Sequence, residues 1–235
     1  MYVLLTRPRQ DSEALAARLQ AKGRACLLEP MLTIRPLAGV RLSLESVQAF
    51  LLTSANGARA LATATAERTL PVYAVGTKTA AEAQALAFEN VYPAAGDTRA
   101  LADLVAEKVD RKAGALLHAA GKTVAGDLAG ALAERGYDVR REVLYEALPT
   151  QEFSAATAAA LRKGEVGVVL FFSPRTAATF VRLVGEAGFA PECKRITALC
   201  LSAAVAKAAD AIQWQSLRIA AHPDEGSLLQ ALERL

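Results

Sequence analysis

A chain of 235 residues exceeds the usual size of one compact domain, so two lobes of roughly 100 residues each are expected. Hydrophobic residues make up 53% of it and aromatics only 6%, a globular composition in which Ala-rich helices can lie close against sheets. The formal charge of +3 is dispersed with no basic arm, which gives no pointer to nucleic acid, and no apolar run approaches the roughly 18 residues of a membrane span.

The opening segment, Met1 to Pro8, lacks a basic region followed by a long apolar stretch, so a cytoplasmic protein is expected. Tyr2 to Leu5 reads as a strand. The helix after it is expected to start near Asp11 or Ser12, to bury Leu15 and Leu19 and to stop at Gly23. Leu51-Leu52-Thr53-Ser54-Ala55-Asn56-Gly57 is an apolar strand that ends in hydroxyl residues before a helix. Ala74-Val75-Gly76-Thr77-Lys78-Thr79-Ala80 repeats that plan, and Val91-Tyr92-Pro93 leads through Asp97 to a helix with Leu101 and Leu104.

The same order then recurs. Leu116 to Thr123 opens a second series whose helix buries Leu128 and Leu132 and ends at Gly136. Leu170-Phe171-Phe172-Ser173-Pro174-Arg175-Thr176, Leu199-Cys200-Leu201-Ser202 and Ile219-Ala220-Ala221 follow in register, at spacings of roughly 112 to 128 residues. Alternating apolar runs and helical periods predict two related α/β lobes with parallel sheets. Met31 to Leu37 and Val143 to Pro149 each follow a first unit, carry a proline near one end and are able to pair as a two-stranded connector. Such a connector favours an exchange of first units between the lobes. The expected division is residues 1–33 with 151–235 in a discontinuous lobe, 34–38 with 145–150 in the connector, and 39–144 in the second lobe.

In an open parallel sheet the strand-to-helix turns at Thr6, Ser54, Thr77, Ser173 and Ser202 gather at the carboxyl edge, where free helix N–H groups attract carboxylate or phosphate. Each hydroxyl taken singly is equally an ordinary helix cap. Arg7, Lys78, Lys122 and Arg175 stand nearby in sequence, although each also suits a solvated surface. Gly121-Lys122-Thr123 has the end of a phosphate-binding loop, but Leu116 occupies the place of its first glycine, which argues against a nucleoside triphosphate. Cys26, Cys193 and Cys200 form no CxxC pair, His118 and His222 belong to no metal or nucleophile motif, and no GxSxG or GxGxxG follows a strand. No metal and no cofactor are expected. Tyr145, on the second connector segment, reads as a packed tyrosine placed where a cleft between lobes would open.

Thr6-Arg7-Pro8, Thr53-Ser54-Ala55-Asn56-Gly57, Val75-Gly76-Thr77-Lys78-Thr79-Ala80, Tyr145 and Phe172-Ser173-Pro174-Arg175, in this order over essentially the whole chain, resemble the uroporphyrinogen-III synthase family. The resemblance implies two lobes joined by a two-stranded connector, and a cyclisation of hydroxymethylbilane to uroporphyrinogen III with loss of water and inversion of the last pyrrole ring through a spiro intermediate. It implies Tyr145 as the acid that assists the leaving hydroxyl. Substrate contacts are implied at Thr6, Arg7, Thr53, Ser54, Ala55, Gly76, Thr77, Lys78, Lys122, Ser173, Pro174, Arg175 and Ser202. The carboxylate-rich linear tetrapyrrole is the one expected ligand, with transient handover from hydroxymethylbilane synthase, a monomeric state, and no nucleic acid or membrane partner. The alternative with the same plan is a noncatalytic bilobal binding or sensor protein for an anionic small molecule.

Overall fold

The structure, a computed structural model, describes residues 1–124 and 126–235. From the N-terminus the chain forms β1 (Tyr2–Leu5), α1 (Arg9–Gln20), β2 (Cys26–Leu28) and β3 (Leu32–Pro36). It continues through β4 (Val47–Leu52), α2 (Ala55–Ala64), β5 (Val72–Val75), α3 (Gly76–Ala85), β6 (Val91–Ala94), α4 (Thr98–Lys108), β7 (Ala115–Gly121), α5 (Leu128–Ala133) and the long β8 (Val139–Pro149). The remainder is α6 (Ala155–Arg162), β9 (Val166–Phe171), α7 (Pro174–Ala187), α8 (Ala190–Cys193), β10 (Thr197–Cys200), α9 (Ala203–Ala209), β11 (Ser216–Ile219) and α10 (Glu225–Glu233).

Two compact units result, one of Met1–Thr33 with Leu148–Leu235 and one of Ile34–Ala147. The first holds a sheet of order β11-β10-β9-β1-β2 in which every neighbouring pair is parallel. Strand residues of alternate parity serve opposite faces. Leu4, Val169, Phe171, Ala198 and Cys200 pack with the apolar sides of α6, α7 and α9, while Val3, Leu5, Leu170 and Leu199 pack with Leu15 and Leu19 of α1 and with Leu228 and Leu232 of α10. Phe153, Phe171, Phe180, Phe189 and Trp214 form an aromatic group within the first of these cores.

The second unit holds the order β3-β8-β7-β4-β5-β6, parallel from β8 through β6. Phe50, Leu52, Leu117 and Ala119 face α2 and α3; Ala49, Leu51 and Leu116 face α4 and α5. β3 lies beside the far end of β8. Leu37 N–H donates to the Leu144 carbonyl at 2.9 Å and Thr150 N–H to that of Met31 at 3.0 Å, the numbering of an antiparallel pair.

Local chemistry explains the helix boundaries. Ser54, Asp97, Asp127, Ser154, Ser173 and Asp224 each accept a hydrogen bond from a first-turn N–H of the following helix. After α1 and α5 the chain turns at Gly23 (φ 76°) and Gly136 (φ 85°), which supply the left-handed backbone that a side chain resists. Two helix starts differ from expectation. α1 begins at Arg9, with Pro8 before it in non-helical backbone (φ −48°, ψ 146°), where a residue without an N–H leaves no donor unpaired. Ser12 lies inside that helix and donates its hydroxyl back to the Arg7 carbonyl at 2.9 Å. α3 likewise starts at Gly76, so Thr77 sits within its first turn, not ahead of it.

Candidate active site

The second unit brings Tyr145 to the carboxyl edge of its sheet by an irregularity of strand pairing. Along β7 and β8, Ala120 pairs with Val143 but Gly121 pairs with Tyr145, so β8 carries one extra residue, Leu144, at this point. A bulge of this kind cancels the usual alternation and re-aims the next side chain. Leu144 and Tyr145, though adjacent, therefore join the same core, on the face covered by α2 and α3. The residue is 9% exposed, and its ring lies over Gly121, where a β-carbon would collide with it. Its hydroxyl is 2.9 Å from Ser54 Oγ.

Ser54 is also the cap of α2, accepting from the Gly57 N–H at 3.0 Å. Neighbouring Thr53 is turned elsewhere, with Oγ1 3.3 Å from His118 Nε2. His118 is 2% exposed and its Nδ1 has no hydrogen-bond partner among the described residues. Burial, with Arg141 adding repulsion, pulls the imidazole down to about 4, so it is neutral near pH 7. Arg141 donates to the carbonyls of Gly121 (2.8 Å) and Lys122 (3.0 Å), and the Lys122 N–H donates to the Tyr145 carbonyl at 2.8 Å. Next to Tyr145, the buried Glu146 carboxylate accepts from Arg35 Nε at 2.8 Å and lies 3.9 Å from Lys122 Nζ. Lys122 and Thr123 are otherwise exposed. After β5, which lies on the other side of β4, Gly76 (φ 72°) opens α3, and Thr77 and Lys78 stand exposed in its first turn. Ala55, the first residue of α2, is buried.

In the first unit, Thr6, Ser173 and Ser202 follow the carboxyl ends of the neighbouring strands β1, β9 and β10. Thr6 is fully buried, and its hydroxyl donates to the Leu170 carbonyl at 2.7 Å, tying β1 to β9. Arg7 reaches Asp11 at 3.0 Å and Glu225 at 2.8 Å and stacks 4.6 Å from the Phe172 ring centre, so its guanidinium joins the starts of α1 and α10. Ser173 caps α7 through the Thr176 N–H at 3.2 Å, with Pro174 in the first turn and Pro174 and Arg175 exposed. Ser202 precedes α9 without a side-chain cap bond. Thr53, Ser54 and Ala55 after β4 and Lys122 after β7 thus lie at the sheet edge that Tyr145 reaches from within β8, level with the end of β7. Thr6, Arg7, Ser173, Pro174, Arg175 and Ser202 lie in the other unit.

Sequence reading passed over Arg141 and the Arg35–Glu146 pair, and it took Gly121 only as part of a loop ending, not as the floor beneath the Tyr145 ring. Their common signal is strand pairing, which becomes visible only once β3, β8 and β7 are aligned. Among the described residues no group of three or more His, Cys, Asp and Glu side chains is placed to hold a metal ion. Burial pushes the thiols of Cys193 and Cys200 up to about 12, which disfavours the nucleophilic thiolate. Among the described residues no helix is long and apolar enough to cross a membrane.

The fold is similar to that of uroporphyrinogen-III synthetase from Helicobacter pylori 26695, with a TM-score of 0.68 and 16% identity over 100% of this chain and 99% of that one. A mutant uroporphyrinogen III synthase from the extreme thermophile Thermus thermophilus is similar at a TM-score of 0.55 and 20% identity, over 100% of this chain and 98% of that one. A comparison with curated proteins gives no match. The family model described as Uroporphyrinogen-III synthase HemD matches residues 13–230, and on that match the chain belongs to the uroporphyrinogen-III synthase family.

Proposed function

We propose that the chain converts hydroxymethylbilane to uroporphyrinogen III and that Tyr145 delivers the proton to the departing hydroxyl. Family membership makes the chain an enzyme of heme biosynthesis. The assignment of the acid is supported by one observation: the Tyr145 hydroxyl is held 2.9 Å from Ser54 at the carboxyl edge of its sheet.

In this reading the enzyme is a ring-closing hydro-lyase. The C–O bond of the hydroxymethyl group breaks as the phenol gives up its proton, water leaves, and the lone pair of the adjacent pyrrole nitrogen fills the electron gap to form an azafulvenium cation. The last pyrrole ring attacks through its substituted carbon to give the spiro intermediate. Fragmentation and re-closure then exchange that ring's two arms. Loss of one ring proton restores the aromatic pyrrole and returns a proton to the phenolate, so substrate becomes product plus one water.

Electron-rich pyrroles supply most of the reactivity, so the protein contributes chiefly geometry and a proton donor. The substrate's carboxylate arms suit the N–H groups that begin the helices after Ser54 and Val75, at the edge of the sheet that carries Tyr145, and Ser173 and Ser202 stand before helices of the same kind within their own unit. A phenol is a weak acid near neutral pH, which matches a leaving group that is already labile.

Tyr145→Phe tests the assignment, because it keeps the ring and removes the hydroxyl. Turnover is expected to fall by about 10- to 1,000-fold while the protein still folds. Thr77→Ala and Ser202→Ala are expected to cost less, since the main-chain donors remain and each side chain adds about one hydrogen bond. Full activity in Tyr145→Phe removes the acid role.

A further inference from the structure

We infer that Ser54 is a positioning residue that aims the Tyr145 proton at the substrate and supplies a hydrogen bond to the phenol oxygen once that proton has left. This rests on the reading of Tyr145 as the acid and assigns its partner.

A serine hydroxyl has one hydrogen to donate and two lone pairs with which to accept. As the cap of α2, Ser54 directs a lone pair at the Gly57 N–H, 3.0 Å away, which locks its oxygen toward the helix. The N–H groups and positive dipole end of α2 hold the oxygen inward and turn the O–H bond outward. Outward from that oxygen, at 2.9 Å, is Tyr145 Oη. With Ser54 donating, the phenol's own hydrogen is excluded from this contact and directed away from Ser54. The reverse arrangement would sink that hydrogen into the cap and withhold it from a leaving group.

The contact is held from both sides. A β-carbon on Gly57 would lie 2.8 Å from the Ala119 carbonyl oxygen, so this glycine allows the first turn of α2 to press onto β7. Gly121, two residues further along β7, leaves room for the Tyr145 ring. Cap and phenol thus rest on one strand, which fixes the distance between them. The adjacent hydroxyl does not duplicate the role, because Thr53 Oγ1 is turned to His118.

The test is a set of kinetic measurements on Ser54→Ala, Ser54→Thr and Ser54→Asp, with Ser54→Ala repeated in a Tyr145→Phe background and thermal melts alongside. Aspartate is as good a helix cap as serine but has no hydrogen to donate and draws the phenol's hydrogen toward itself. Turnover at saturating hydroxymethylbilane is the readout, because the added charge acts on KM. We expect Ser54→Ala to lower kcat about 10-fold, the worth of one hydrogen bond, with little change in KM. Ser54→Thr should recover most of the rate, and Ser54→Asp should stay at or below the alanine level. In Tyr145→Phe, Ser54→Ala should change kcat less than about 2-fold, because residues acting as a unit are not additive. Wild-type kcat in Ser54→Asp, or equal losses from Ser54→Ala in both backgrounds, would reduce Ser54 to a cap and overturn the inference alone. Wild-type kcat in Tyr145→Phe would overturn the acid reading and the inference together.

Discussion

A β-carbon placed on Gly121 would stand 2.8 Å from Cζ and 3.1 Å from Oη of Tyr145, so the tyrosine ring fills the space that a side chain on the neighbouring strand would take. Real β-carbons do not approach neighbours so closely. Glycine at this position is therefore part of how the phenol is placed.

Gly121→Ala is expected to push the ring off β7 and break its contact with Ser54, while the backbone itself accepts alanine. Turnover should fall about 10-fold or more, toward the level of Tyr145→Phe, and overpacking should cost about 1–3 kcal/mol of stability. Steady-state kinetics and urea unfolding measure the two effects separately. Wild-type values in both would show that the ring has room to move.

His118 carries a pH dependence of folding. Its pKa is lowered from 6.5 to about 4 in the folded chain, so the unfolded chain binds the extra proton between these values. The contribution is complete above pH 6.5, declines as pH falls, and is lost below about 4. It amounts to on the order of 3 kcal/mol, since each pH unit between the two values is worth about 1.4 kcal/mol. Urea midpoints of the wild type and His118→Gln from about pH 7.5 to about pH 4.5, which spans most of this window, check this. The wild type is expected to lose more stability over that interval, and parallel curves would contradict the assignment.

The segment Ile34–Ala147 is expected to fold alone. Its sheet is covered on both faces by its own helices, and the two cores of this unit contain no residue from the other. A fragment of these residues should unfold cooperatively in urea. A protease-resistant unit ending near residue 112 would instead favour two sequential halves.

The repeated order of strands and helices was legible because apolar runs, polar caps and terminal glycines act locally. The parallel sheets follow from that alternation. What escaped the sequence depends on pairing. Period-2 alternation would send Leu144 and Tyr145 to opposite faces, and only the one-residue slip on β8 brings both into one core. The uses of Thr6 and Arg7 were equally hidden. A hydroxyl at a strand end caps a helix or ties two strands, and here Thr6 ties β1 to β9. The partner Glu225 lies more than two hundred residues from Arg7, beyond any local pattern. The start of α1 at Arg9 was hidden as well, because Ser12, a residue that often caps helices, lies inside this one and bonds back to the Arg7 carbonyl.

The most direct test of the account is the identity of the product. Purified protein, without added metal or cofactor, is supplied with hydroxymethylbilane, and the porphyrins are oxidised and separated by isomer. The account predicts the type III isomer, formed faster than in a protein-free control. Type I isomer alone, at the rate of that control, would contradict it.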